Sequence, residues 1–353
     1  MAPADFPVAA SPELRDAILS WYAERGRDLA FRATSDPYAI LVSEAMAQQT
    51  QVKRAAEYWT RFLVAFPTVQ ALAEASPAAV LRAWRGLGYN RRAVALRAAA
   101  VAIVRDHGGR VPDDIGALER LPGVGPYTAR AVAALAYGHR VGAVDVNVRR
   151  VLARALGASV DAFTRRELQA AADASVPDSS PGMWTHALMD VGATFCKPRV
   201  PRCAACPARN ACRYATDRAI PAEGTPPGSG ASARFTPAEG TPPGSGASAR
   251  STPAEGTPPG SGASARFKPA RVVLTTSDAV RERAAPFTST SRWLRGRILD
   301  LLRESPGDAW AKLPRSIGDH DLRAITIAVA GLERDGLVER HADDPGRVRL
   351  PIA

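Results

Sequence analysis

The chain has 353 residues, enough for two domains. Lysine plus arginine number 46 against 35 aspartate plus glutamate, a formal charge of +11. That balance points to a polyanion, nucleic acid before an anionic membrane surface. No apolar run is long enough to cross a bilayer, which argues against a helical membrane protein.

The opening MAPADFPVAA lacks a basic segment followed by an apolar core, so no secretion signal is expected. All four cysteines lie between residues 196 and 212, which is not how a disulfide scaffold spreads them. A reducing, cytoplasmic and nucleoid-associated location is expected.

From Pro12 to Arg218 the pattern is mainly helical. Leu14, Ile18, Leu19 and Tyr22 recur at helix spacing. Ser43–Leu63 reads as one helix. Pro77–Arg85 begins another, with Ser76 as N-cap and Pro77 at the first helical position. Residues 91–105 and 164–175 add two more.

The composition then breaks. PAEGTPPGSGASAR occurs at 221–234, 237–250 and 253–266, a period of sixteen residues. Each unit has almost nothing to bury, so residues 219–270 read as a low-complexity linker with an r.m.s. span of about 40 Å. Order resumes in residues 271–353. Ser291–Glu304 is amphipathic, Asp319–Asp335 reads as a helix, and Gly336–Leu350 as two short strands joined at Asp344-Pro345-Gly346. Helix, helix and a two-stranded wing make a winged-helix-like pattern.

Four stretches carry chemistry. In Leu121-Pro122-Gly123-Val124-Gly125, positive φ is expected at both glycines, and the turn amides suit a phosphate oxygen. The segment ends on one carboxylate, Asp145, before Val146-Asn147. Glu44 stands beside Gln48-Gln49-Thr50, a run suited to hydrogen bonding with bases. Gly86-Leu87-Gly88-Tyr89-Asn90-Arg91-Arg92 combines a flexible turn, an aromatic ring and two cations, able to stack or insert at a nucleic acid. Cys196-x6-Cys203-x2-Cys206-x5-Cys212 sets four thiolates within residues 196–212, a ligand set for a [4Fe–4S] cluster or zinc. Lys197, Arg199 and Arg202, between the first two cysteines, are candidates to grip phosphates.

In this order and spacing, the motifs resemble the helix-hairpin-helix DNA glycosylases of the endonuclease III superfamily. Within it, residues 12–215 are most similar to the adenine DNA glycosylase (MutY) branch, as is Trp184–Ala193 before the cysteines. The resemblance implies a mainly α, two-lobed glycosylase domain over 12–218, with a [4Fe–4S] cluster loop at 196–212. It implies base excision of adenine paired with 8-oxoguanine or guanine in double-stranded DNA, by a monomer. Lyase-active relatives carry a catalytic lysine where this chain has Tyr127, so hydrolysis without a lyase step is expected. Glu44 would protonate adenine and Asp145 would stabilise the sugar cation, with Tyr127 and Asn147 orienting them. Gln48, Gln49 and Tyr89 would face the opposite base, and Gly123 and Gly125 the phosphates.

There are departures. Ala47 stands where leucine is common, Asn90 where a second tyrosine is common, and Val146 where glycine is common. The tail after Ala270 shows no Nudix glutamate box. A thymine, uracil or other mismatch glycosylase of the superfamily, and a non-catalytic cluster-bearing DNA-binding protein, are the alternative readings.

Overall fold

In the computed structural model, residues 9–219, 286–307 and 309–352 are described. The proposed linker at 219–270 lies almost wholly outside them. Twelve helices occupy the first stretch. They are α1 (Pro12–Arg25), α2 (Pro37–Ala47), α3 (Val52–Ala65), α4 (Val69–Glu74), α5 (Pro77–Ala83), α6 (Arg91–His107), α7 (Ile115–Arg120), α8 (Pro126–Ala136), α9 (Val146–Ala155), α10 (Arg165–Ala174), α11 (Pro181–Thr194) and α12 (Arg213–Ala219). The fold is mainly α, as the sequence predicts.

Local chemistry sets most helix starts. Ser11, Asp36, Thr68, Ser76 and Asp114 each accept a backbone N–H of the first turn. Proline occupies an early position in α1, α2, α5, α8 and α11, where its missing donor is harmless. Thr164 and Glu167 form a reciprocal capping box on α10.

Two cores define two lobes. One gathers Ile40, Leu41, Phe62, Trp84, Ile103 and Val132 from α2 to α8. The other gathers Leu14, Ile18, Leu152, Leu168, Trp184 and Leu188 from α1 and α9 to α11. The chain therefore starts in the second lobe, builds the first, and returns. α8 packs on both α2 and α11, so its N-terminal end stands where the lobes meet.

The Ser43–Leu63 expectation needs correction. The helix breaks at residues 48–51, and Gln49 adopts φ +54°. The cause is distant in sequence. Arg92 donates through Nη1 to the carbonyls of Ala45 (2.8 Å), Met46 (3.1 Å) and Gln48, ending α2.

Residues 286–352 form α13 (Ser291–Glu304), β1 (Ala311–Lys312), α14 (Leu322–Arg334), β2 (Glu339–Arg340) and β3 (Arg347–Arg349). The strands pair antiparallel in the order β1-β3-β2. β1, only two residues long, has no counterpart in the sequence reading. Leu294, Ile298, Leu299 and Leu302 of α13 join the core of the first lobe. The amide of Ala78 donates to the carbonyl of Pro351 at 2.8 Å. Among the described residues no helix is long and apolar enough to cross a membrane.

Candidate active site and cluster loop

Glu44 lies in the last turn of α2 and is buried. Burial pushes its pKa from the ordinary 4.5 up to about 7. The nearby Tyr127 hydroxyl, which also reaches Met189 Sδ at 3.6 Å, and the charge of Arg32 oppose that rise, while the Asp145 carboxylate adds to it. Those influences identify the neighbours: Glu44, Tyr127, Asp145 and Arg32 form one group. Tyr127 sits in the first turn of α8, and its phenol is held well above its ordinary value, mainly by burial and then by the two carboxylates.

Asp145 is the N-cap of α9. Its Oδ1 accepts the amides of Asn147 (2.9 Å) and Val148 (2.7 Å), and its Oδ2 accepts Asn147 Nδ2 (2.8 Å). Three donors therefore fix both oxygens. Asn147 is fixed in turn, because Arg150 Nη2 donates to its Oδ1 at 2.8 Å. Arg150 also donates to the carbonyls of Gly192 (3.0 Å) and Cys196 (2.6 Å). This buried arginine ties the carboxylate end of α9 to the start of the cysteine loop. Val146, where the family pattern has glycine, is 74% exposed.

A third carboxylate stands behind the group. Asp190 of α11 is fully buried and receives both Arg27 and Arg32. Arg27 donates from N, Nε and Nη2 at 2.6–2.9 Å, and Arg32 from Nη1 and Nη2 at 2.9 and 2.7 Å. Burial works to raise the Asp190 pKa, but these donors outweigh it and hold it below the ordinary value. Arg32 Nε is buried with no acceptor among the described residues. His186, one turn before Asp190, is held down at about 3 by burial, with Arg32 assisting, so its imidazole is neutral.

Sequence reasoning missed Arg27, Arg32, His186, Asp190 and Arg150 as a set. One signal was present: Asp190 is a carboxylate in the otherwise apolar run AlaLeuMetAspValGlyAla. Its arginines lie more than 150 residues away and leave no local trace.

The remaining candidates fall in three places. Gln48 Nε2 reaches Thr128 Oγ1 at 3.4 Å, which sets it against the start of α8. Gln49 and Tyr89 both have left-handed backbones, with φ +54° and +47°. At the hairpin, Gly123 has φ +76°, and a Cβ there would meet the Ala95 Cβ at 2.7 Å. The expectation of positive φ at Gly125 is corrected: it is an extended N-cap with φ −97°. Its role is openness, since a Cβ would meet nothing within 4 Å and no side chain caps the first turn of α8.

The four cysteines form no disulfide and line one cavity with Arg154 and Tyr214. Burial pushes the Cys206 thiol up to about 11 and raises that of Cys212. Arg154 Nη1 lies 3.3 Å from Cys196 Sγ and donates to the carbonyls of Lys197 (2.7 Å) and, through Nη2, Pro198 (2.8 Å). Four soft donors around a shared cavity with a guanidinium beside them fit a polynuclear cluster. Lys197 donates to the Ala193 carbonyl at the end of α11, whereas Arg199 and Arg202 are exposed.

Residues 42–177 match the family described as HhH-GPD superfamily base excision DNA repair protein. An adenine DNA glycosylase of Mycobacterium tuberculosis is 38% identical over 346 residues, covering 95% of this chain and 92% of the relative. One from Mycolicibacterium smegmatis is 35% identical, covering 94% of each. A solved thermostable thymine-DNA glycosylase aligns with a TM-score of 0.55 at 31% identity, over 57% of this chain and 95% of that one. The chain belongs to the adenine DNA glycosylase family of the HhH-GPD superfamily.

Proposed function

We propose that the protein excises adenine mispaired with 8-oxoguanine or guanine from duplex DNA, by hydrolysis and without a lyase step. The observation that carries this is Glu44: an acid with a pKa near 7 in a buried site, linked to Tyr127 and facing Asp145. Adenine leaves poorly unless protonated. A carboxylic acid that keeps its proton at neutral pH meets that need.

The target adenine would leave the base stack to reach these groups. Protonated Glu44 then donates to N7 of the adenine. The C1′–N9 bond breaks, its electron pair stays with the base, and neutral adenine departs. The sugar becomes an oxocarbenium ion, which the ionised Asp145 stabilises. Water adds to C1′, and its released proton returns to Glu44. Asn147 keeps Asp145 aimed through the 2.8 Å hydrogen bond. Tyr127 stands where lyase-active relatives carry a lysine, which supports the absence of a Schiff-base step.

A [4Fe–4S] cluster held by Cys196, Cys203, Cys206 and Cys212 would fold the loop and position it, without entering the bond-breaking step. Arg199 and Arg202 would then face the phosphates. The protein would act as a monomer on nucleoid DNA in the cytoplasm, where reducing conditions keep the cysteines out of disulfides.

The thymine or uracil reading draws support from the thymine-DNA glycosylase likeness, but that covers only 57% of this chain. Two variants test the proposal. Asp145→Asn should abolish adenine release while leaving duplex affinity within about threefold. Glu44→Gln should do the same on adenine. A Glu44→Gln protein that still released adenine at the wild-type rate would contradict the acid's assigned role.

A further inference from the structure

Tyr89 and Gln49 line a cleft of about 890 Å³ whose opposite wall is α13. Among the described residues, three non-glycine positions have positive φ, and two of them are here. Such backbone is strained and persists where surrounding structure imposes it. Arg92 imposes it from one side. It joins the turn at 48–51 to the turn at 86–90, donating to the Leu87 and Gly88 carbonyls (3.3 Å each) as well as to α2.

The other wall is equally fixed. Arg303 of α13 donates to the Leu81 carbonyl (3.0 Å) and to Asn90 Oδ1 (2.7 Å), and Glu304 pairs with Arg85 at 2.9 Å. Asn90, the residue next to Tyr89, is therefore held by α13 itself.

Into this cleft α13 presents arginines. Arg292 lies 4.7 Å from the Tyr89 ring centroid, with Arg92 5.5 Å from the same centroid. Arg292 is exposed and has no carboxylate partner among the described residues. One turn on, Arg297 has a weak 3.8 Å contact with Asp300, which Arg303 already engages at 3.0 Å. Arg295 is committed to Asp335. Arg292 therefore carries charge without a carboxylate of its own beside an aromatic ring 45% exposed, and Arg297 lines the same cleft while sharing Asp300 with Arg303.

A second cleft, about 480 Å³, shares Gln48, Arg91 and Arg92 with the first and runs to Pro122 and Gly123. The two form one furrow, with the hairpin turn at one end and α13 at the other. We infer that α13 is part of the DNA interface: Arg292 and Arg297 bind phosphates of the strand opposite the excised base, while the hairpin binds the strand that bears it. This rests on the duplex-glycosylase reading above. It gives the C-terminal unit a task at the side of the molecule that meets the opposite base.

The test is the salt dependence of duplex affinity. Each phosphate contact contributes a slope of about 0.9 in log Kd against log salt. Arg292→Ala/Arg297→Ala should flatten the wild-type slope by about 1.8, and Arg292→Lys/Arg297→Lys should restore it. Methylphosphonates in the strand opposite adenine should flatten the wild-type slope equally and leave the alanine pair unchanged. An unaltered slope in the folded alanine pair overturns the inference, as does a matching loss only when the adenine strand is neutralised.

Should the alanine pair fail to fold, phenylglyoxal labelling of the wild type decides. Duplex should protect Arg292 and Arg297, and full reactivity in the complex overturns the inference. Adenine release by the wild type is measured in parallel. Without release, the function reading fails on its own. Without duplex binding, both fail.

Discussion

Glu44 ends an apolar helix, where the helix dipole and burial both disfavour a negative charge. Folding therefore pulls its pKa from 4.5 to about 7. The folded state binds the extra proton between those values, so stability falls as pH rises from 4.5 to 7, and the full penalty remains above 7. That penalty is on the order of 3 kcal/mol. Glu44→Gln, which removes the charge, should be more stable than wild type at pH 8 by up to that amount, with the difference gone by pH 4. Urea denaturation at the two pH values checks it. The single-turnover rate should fall as pH passes through 7 and the acid is lost. Asp145→Asn, by contrast, keeps a good N-cap and should shift stability by under about 1 kcal/mol. At this scale the sequence was informative for Glu44, Tyr127, Asp145 and Asn147, because each sits in a short motif. It was silent on the Asp190 cage, because a buried ion pair joins residues that no periodicity connects.

Between elements, two arginines act as bolts. Arg92 brings together turns from α2–α3 and α5–α6, and burial lowers its own pKa. Removing it leaves several carbonyls without donors, so Arg92→Ala should cost about 3 kcal/mol in denaturant unfolding. Lysine should not rescue it, since one ammonium cannot span acceptors on both turns. Arg150 does the same between α9 and the cysteine loop. Beside it, a Cβ at Gly192 would come within 2.7 Å of the Asn147 Cβ. Gly192→Ala should therefore displace Asn147 and lower the rate of base release at least tenfold. Iron content should stay unchanged, measured by absorbance and single-turnover release on one preparation. The misread Ser43–Leu63 helix belongs at this scale too. Residues 48–51 carry no glycine or proline, so nothing local marks the break that Arg92 enforces from 44 residues away.

Across the whole molecule, the mainly helical class and the cysteine loop follow from capping residues, alanine-rich periodicity and spacing, whereas the two lobes come with the family resemblance. What periodicity does not carry is how residues 286–352 dock. Their apolar face completes the core beside Leu81 and Trp84 instead of closing on itself alone. A chain ended at residue 219 should therefore expose that face. It should melt at a lower temperature and bind a hydrophobic dye, whereas the full chain should unfold in one transition by both helix and tryptophan signals.

The most direct measurement of the central claim is single-turnover base release from duplexes carrying A opposite 8-oxoguanine, A opposite G, T opposite G and U opposite G, with and without alkali. The account predicts strand breakage at adenine only, dependent on alkali and fastest opposite 8-oxoguanine. Release of thymine or uracil with adenine untouched, or breakage without alkali, would contradict it.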